Sequence, residues 1–156
     1  MATRGFEYVG TLDGTNAVPV VRDFTLGVAA AHKIGDAMKI QADGYIDQVA
    51  GSIDEITCIM MEAVAAADIT AGTTTAKAAI VTSSQVWRCS ADASTAATAV
   101  AWAVKTLDTV DANTIDADDV TNGSLMPVGT EGLDSDGNLI IQVVFCETSL
   151  GTHKTS

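Results

Sequence analysis

The chain has 156 residues, 47% hydrophobic and 4% aromatic, with a mean hydropathy of +0.27, enough for one independently folding core and too apolar for wholesale disorder. Twenty Asp and Glu against eight Lys and Arg leave a net charge of −12. That field repels phosphate backbones and anionic lipid, so neither nucleic acid nor a membrane surface is expected as a partner.

The first 24 residues mix Phe6, Tyr8, Val18, Val20 and Phe24 with Gly10, Asp13-Gly14 and Pro19. Pro19 limits ladder pairing. The segment reads as an extended arm, or as one edge strand with loops. Two aromatics within the first eight residues point to docking, either back onto the same domain or onto a partner.

Residues 35–40 and 45–50 flank Asp43-Gly44, the pattern of a hairpin. Thr57 to Val64 is an apolar run long enough for a central strand, Ala65–Asp68 a loop or single helical turn, and residues 71–75 a connection. Ala76–Thr82 and Gln85–Ala91 read as two further strands, with Trp87 and Cys89 on the face opposite Val86 and Arg88. Asp92 to Thr109 is ambiguous. Its alanines favour a helix, but Val100, Trp102 and Val104 alternate with Ala99, Ala101 and Ala103, and a strand is preferred.

Residues 113–116 and 123–128 look like short strands. The clearest element is Leu139 to Phe145. Leu139, Ile141, Val143 and Phe145 share one face, and on the other, Ile140, Gln142, Val144 and Cys146, only Gln142 is polar. A strand apolar on both faces is covered on both, within its own chain or by another subunit. The closing residues 149–156 form a polar tail. Many short strands separated by turn formers predict an all-β fold: a small β-barrel, β-tulip or sandwich with an extended N-terminal arm, divided as arm 1–24, β-domain 25–148 and tail 149–156.

Chemistry is sparse. His32 and His153 lack a neighbouring Ser or Cys in a nucleophile context, and no HExxH, GxSxG or phosphate-binding glycine pattern is present. Asp134-Ser135-Asp136-Gly137-Asn138 imitates the start of a calcium loop, but glycine falls at the fourth position and Phe145 at the twelfth, so it reads as a turn. Cys58, Cys89 and Cys146 match no zinc spacing and read as buried free thiols in a reducing compartment. No catalytic, cofactor-binding or metal-ligating residue is assigned, and the chain is not expected to be an enzyme. The opening residues lack a signal-peptide core and no apolar run reaches membrane-spanning length, so passage through a secretory route is not expected.

The order Gly35-Asp36-Ala37-Met38-Lys39-Ile40, Gly44-Tyr45-Ile46-Asp47-Gln48-Val49, the Ile59–Ala67 run, and Trp87-Arg88-Cys89-Ser90-Ala91-Asp92-Ala93-Ser94 resembles the head decoration, or cement, proteins of tailed phages. Residues 111–117, 123–129 and the Leu139–Phe145 strand continue the resemblance, which spans residues 25–148. Ile59-Met60-Met61 and the Ala96–Ala103 segment depart from it. The resemblance implies a structural virion protein, made in the host cytoplasm, that binds the outside of a capsid as a homotrimer and stabilises the expanded shell. Its partner would be the major capsid protein, its cofactors none, and its contact residues Phe6, Tyr8, Val18 and Val20 within the arm. A tail-tube or fibre β-domain and a ligand- or carbohydrate-binding β-module are the alternatives. The second would need an exposed aromatic platform, for which Tyr8, Tyr45, Trp87 and Trp102 are the candidates.

Overall fold

The computed structural model describes residues 5–51, 55–96, 107–119 and 123–146. Eleven strands occur among them: β1 Glu7–Thr11, β2 Val21–Thr25, β3 Ala37–Ile40, β4 Ile46–Gln48, β5 Cys58–Met60, β6 Thr75–Ile80, β7 Gln85–Ser90, β8 Asp108–Asp111, β9 Thr114–Asp116, β10 Leu125–Leu133 and β11 Leu139–Phe145. One 3₁₀ turn, Ala66–Asp68, interrupts them. The strands form a four-stranded sheet in the order β1-β7-β11-β10, a five-stranded sheet in the order β2-β6-β5-β3-β4, and the β8–β9 hairpin. All pairings between named strands are antiparallel. The fold is therefore all-β, as expected.

Period-two patterning explains how the sheets meet. On β7, Trp87 and Cys89 point inward; on β11, Ile141, Val143 and Phe145 do the same. They pack against Ala37, Ile59 and Ala79 of the five-stranded sheet, with Ile115 from the β8–β9 hairpin in the same cluster. This is the core of a sandwich. The five-stranded sheet is buried on its second face too, where Met38, Cys58, Met60, Ala76 and Ala78 join Leu26, Ile46 and Ile69. Every residue of β5 is consequently buried, as befits a central strand covered on both sides. The expected strand from Thr57 to Val64 is cut short: Met61 is already exposed, and the chain turns away to cover the second cluster with Val64 and Ile69.

The sandwich alternative holds, and no closed barrel forms among the described residues. The five-stranded sheet curls until Leu26, just beyond β2, meets Ile46 of β4, but that closure is a single parallel bridge rather than a ladder. The β3–β4 hairpin forms as predicted. Gly44 takes a positive φ of 87° while its N–H donates to the carbonyl of Gln41, and the Asp43 carboxylate accepts the N–H of Tyr45. β11 has the predicted limits, and Ile140 and Val144 on its second face are buried within the chain, whereas Cys146 is only half-buried. Most of the ambiguous Asp92–Thr109 segment, with Trp102, lies outside the described residues, as does the tail 149–156; Asp92–Ala96 is a turn and Asp108 opens β8.

Residues 5–24 are not a free arm. β1 pairs with β7 inside the four-stranded sheet, and the proposed boundary after residue 24 falls within β2. Phe6 is 2% exposed, with its ring 5.5 Å from that of Phe145. Hydrophobic burial outweighs the freedom of an arm here, since a fully buried Phe contributes about 2–3 kcal/mol. The entry path depends on glycine. Gly5 (φ +63°) and Gly35 (φ +93°) pass back to back, and a Cβ on Gly35 would lie 3.0 Å from Gly5 Cα. Phe6 N–H donates to Gly35 carbonyl at 2.8 Å, which carries the Phe6 ring into the core.

Candidate assembly surface

The four contact residues proposed from the sequence separate into two pairs. Phe6 is core, and Tyr8 lies against Trp87 at a ring separation of 5.5 Å in an edge-on arrangement. Both dock onto their own domain, which corrects their assignment as contact residues. Val18 and Val20 do face solvent, at 82% and 49% exposure. They lie on the strap that crosses from β1 in one sheet to β2 in the other, and Leu12 and Val21 extend the exposed apolar line.

The strap is built locally. Asp13 organises its first turn: one carboxylate oxygen accepts the Thr11 hydroxyl at 2.6 Å, the Thr15 hydroxyl at 2.8 Å and the Thr15 N–H at 3.0 Å. The Thr11 and Thr15 hydroxyl bonds and the Thr15 amide hold the Asp13 carboxyl down to about 2, although it is fully exposed. Tyr8 Oη donates to the Ala17 carbonyl at 2.6 Å and ties the strap's far end to β1. Because the folded value lies below the ordinary 3.8, this turn holds the charged form; its contribution is complete above that pH and is lost as pH falls through about 2. An NMR titration should show the Thr15 amide unmoved from neutrality to below pH 3.8 and shifting only as pH approaches about 2; a midpoint near the ordinary value would contradict the arrangement.

The strap leads into an open strand edge. β2 pairs only with β6. Val20 carbonyl accepts Ile80 N–H and Leu26 N–H donates to Thr74 carbonyl, both at 2.9 Å, so even-numbered residues turn their backbone groups toward β6. The N–H and C=O groups of Val21, Asp23 and Thr25 face outward; the Val21 carbonyl is satisfied by Arg22 Nη1 at 3.0 Å and the Thr25 carbonyl by Ile46 in the parallel Leu26–Ile46 bridge. Asp23 and Lys77 form an exposed cross-strand ion pair at 3.1 Å.

On the outer face of the four-stranded sheet, Arg88 of β7 reaches Glu7 of β1 at 2.9 Å and Glu131 of β10 at 3.1 Å. Hydrogen bonds donated to Glu7 and then to Glu131 push the Arg88 guanidinium above its ordinary value. It acts as a belt across the sheet. The Asp134 turn uses its carboxylate internally: Oδ1 accepts the N–H groups of Asp136 and Asn138, and Oδ2 accepts the Ser90 hydroxyl at 2.6 Å. No group of three metal-ligating side chains occurs among the described residues. Burial pushes the Cys58 thiol up to about 12 and the Cys89 thiol higher still, which leaves little thiolate on either at neutral pH.

None of the three described aromatics of the proposed platform, Tyr8, Tyr45 and Trp87, is openly displayed, and Tyr8 is half-buried. Trp87 is 1% exposed and donates from Nε1 to Gln85 Oε1 at 3.2 Å, and Tyr45 is half-buried against Gly72. His32 is 3% exposed, and neither ring nitrogen has a hydrogen-bond partner. Its backbone exchanges two bonds with Val64, so the residue secures the segment over the second core cluster. Buried polar atoms left unpaired cost about 1–3 kcal/mol each. His32→Leu should therefore raise the unfolding free energy by about 1–2 kcal/mol in a urea titration; a loss of stability would contradict this reading.

For the first 24 residues the edge-strand reading is nearer than the arm, but the segment holds the start of the fold as β1 and most of β2, and the sequence did not place the β2 edge. The available signal was Val20-Val21-Arg22-Asp23-Phe24-Thr25 after Pro19: a short β-type run carrying charges, as edge strands do. No helix among the described residues is long and apolar enough to cross a membrane. No protein-family model, curated protein or solved structure matches the chain.

Proposed function

We propose that this protein is a structural, non-enzymatic virion component that binds the outside of a tailed-phage capsid, as a homotrimer in contact with the major capsid protein, and stabilises the expanded shell. The observation that carries the reading is the exposed apolar strap, with Val18 at 82% and Val20 at 49%, leading into the open β2 edge of a compact all-β body. An apolar line of this kind on a chain of charge −12 favours a protein surface as its target. The sequence order shared with head decoration proteins supplies the class of surface. Each subunit contact can be weak, because three linked contacts raise effective concentration.

Removing residues 2–14 would be a poor test, since it takes Phe6 and β1 out of the fold. The double variant Val18→Asp with Val20→Asp leaves the core untouched. It should cosediment with expanded, undecorated capsids at least about tenfold less than the parent protein, equivalent to about 1.4 kcal/mol. Equal occupancy by a folded double variant would sink the assignment of this surface.

A further inference from the structure

The fold treats its sheet edges unequally. β1 carries a bulge between Tyr8 and Gly10, and the strap folds back on it through Asn16 and Ala17. β4 is only three residues long and its edge accepts Gly27 N–H through the Ile46 carbonyl. The start of β10 is paired with Leu107 in both directions. β2 has no bulge, and β4 covers it only at its end, where the parallel Leu26–Ile46 bridge takes the Thr25 carbonyl: its five residues pair with β6 in unbroken register and leave the Val21 N–H and both backbone groups of Asp23 directed outward. Regular edges left open are templates for another strand.

We infer that the β2 edge is a docking site for one extended, antiparallel strand of a different protein, carrying an acidic residue opposite Arg22, a basic residue opposite Asp23, and apolar residues opposite Val21 and Phe24. The charges decide the occupant. Only the odd-numbered residues offer outward backbone groups, so two copies of β2 can meet about a two-fold axis centred on residue 22, 23 or 24. The first sets Arg22 against Arg22 and the second Asp23 against Asp23, and like charges directly opposite are destabilising. The third would pair Asp23 with Thr25, whose carbonyl is already taken in the parallel Leu26–Ile46 bridge, and Leu26 and Gly27 beyond it have committed their N–H groups to Thr74 and Ile46. A foreign strand with the complementary order escapes these conflicts. The ion pair of Asp23 with Lys77 at 3.1 Å leaves the other side of Asp23 open to a basic residue. This inference concerns the edge alone and does not depend on the partner being a capsid subunit.

The test uses the full chain, labelled with ¹⁵N, and an acetylated, amidated peptide Val-Lys-Glu-Val-Val, which ends short of Thr25. The control is the same peptide with Lys and Glu exchanged. The matched peptide should shift the amides of Val21 and Asp23 and slow their hydrogen exchange, leaving those of Arg22 and Phe24, already turned toward β6, little changed. It should bind roughly tenfold more tightly than the exchanged peptide, since both cross-strand charge pairs reverse sign. Asp23→Pro removes an outward N–H without touching the β6 ladder, and should abolish the response while the remaining amide spectrum persists. Equal binding of the two peptides, no response to either, or an unaltered response in folded Asp23→Pro would overturn the proposal. So would concentration-dependent protection of the odd-numbered amides without peptide, which would make a second copy the occupant.

Discussion

Trp87→Ala should remove about 3–5 kcal/mol of unfolding free energy, the largest single loss expected among the described residues. Trp87 stands at the middle of an aromatic chain that joins the N-terminal segment to the last strand. Tyr8 lies 5.5 Å from it, Phe145 lies 6.3 Å from it, and Phe6 lies 5.5 Å from Phe145. Truncation deletes one of the largest fully buried side chains and opens a void between the sheets. It also releases the Nε1–H bond to Gln85, whose amide oxygen still accepts Thr82 N–H at 3.0 Å. Domains of this kind hold about 5–15 kcal/mol in total, so the variant should sit close to its unfolding threshold. A urea titration monitored by far-ultraviolet circular dichroism reads the effect. A loss below about 1 kcal/mol would mean that the sheets do not meet through this residue.

Asp36→Ala should cost about 3 kcal/mol or more, through hydrogen bonding rather than packing. Asp36 is fully buried at the start of β3. Its Oδ2 accepts Lys33 N–H at 2.8 Å and Gln48 Nε2 at 2.7 Å, and its Oδ1 accepts Asn113 Nδ2 at 3.0 Å. One carboxylate thus joins the turn before β3, the strand β4 and the link between β8 and β9. Alanine takes the acceptor from Lys33 N–H and Asn113 Nδ2 and leaves Gln48 Nε2 with only its longer bond to the Ala31 carbonyl at 3.3 Å. Asp36→Asn should cost about half as much. It keeps the volume but puts an NH₂ group against one set of donors, and Asn113 cannot turn its amide to compensate without losing the hydroxyl bond from Thr114. The paired denaturation curves check both the size and the order of these effects. An asparagine variant as stable as the parent would show that the junction is not held by the carboxylate.

These two residues mark how far the sequence could be read. Trp87 and Cys89 announced their shared inward face by alternation, and Leu139–Phe145 announced a strand covered on both sides, because period-two patterning is local and survives in the linear chain. The Asp43-Gly44 turn was legible for the same reason. Phe6 was legible only in part: two aromatics so early signal docking, but the choice between this domain and a partner rests on Phe145, far along the chain. Asp36 shows the same limit. Its neighbour Gly35 suggested a strand start, but the bond to Asn113 exists only in three dimensions. The candidate surface was half visible. Val18 and Val20 were picked out as apolar residues in a segment of loops, yet the open edge beside them depends on which strand β2 pairs with and which side it leaves bare.

Guarding of that edge also bears on solubility. Arg22 and Asp23 place both signs of charge on the exposed strand, and Pro19 stands just before it. Such features keep an edge from pairing indiscriminately while leaving it open to a strand of matching order. The strap and the edge then form one continuous face, apolar at Val18 and Val20 and hydrogen-bonding at Val21 and Asp23, up to the point where β4 meets the strand's end. A partner that buries the valines is placed to pair with the edge.

The central claim is the attachment to a capsid exterior, and electron cryo-microscopy of expanded, undecorated capsids incubated with the full chain tests it most directly. The account predicts added trimeric density on the outer surface at threefold or quasi-threefold positions, with the Leu12–Val21 strap against the shell. Bare capsids at saturating protein, or density confined to a tail tube or fibre, would contradict it.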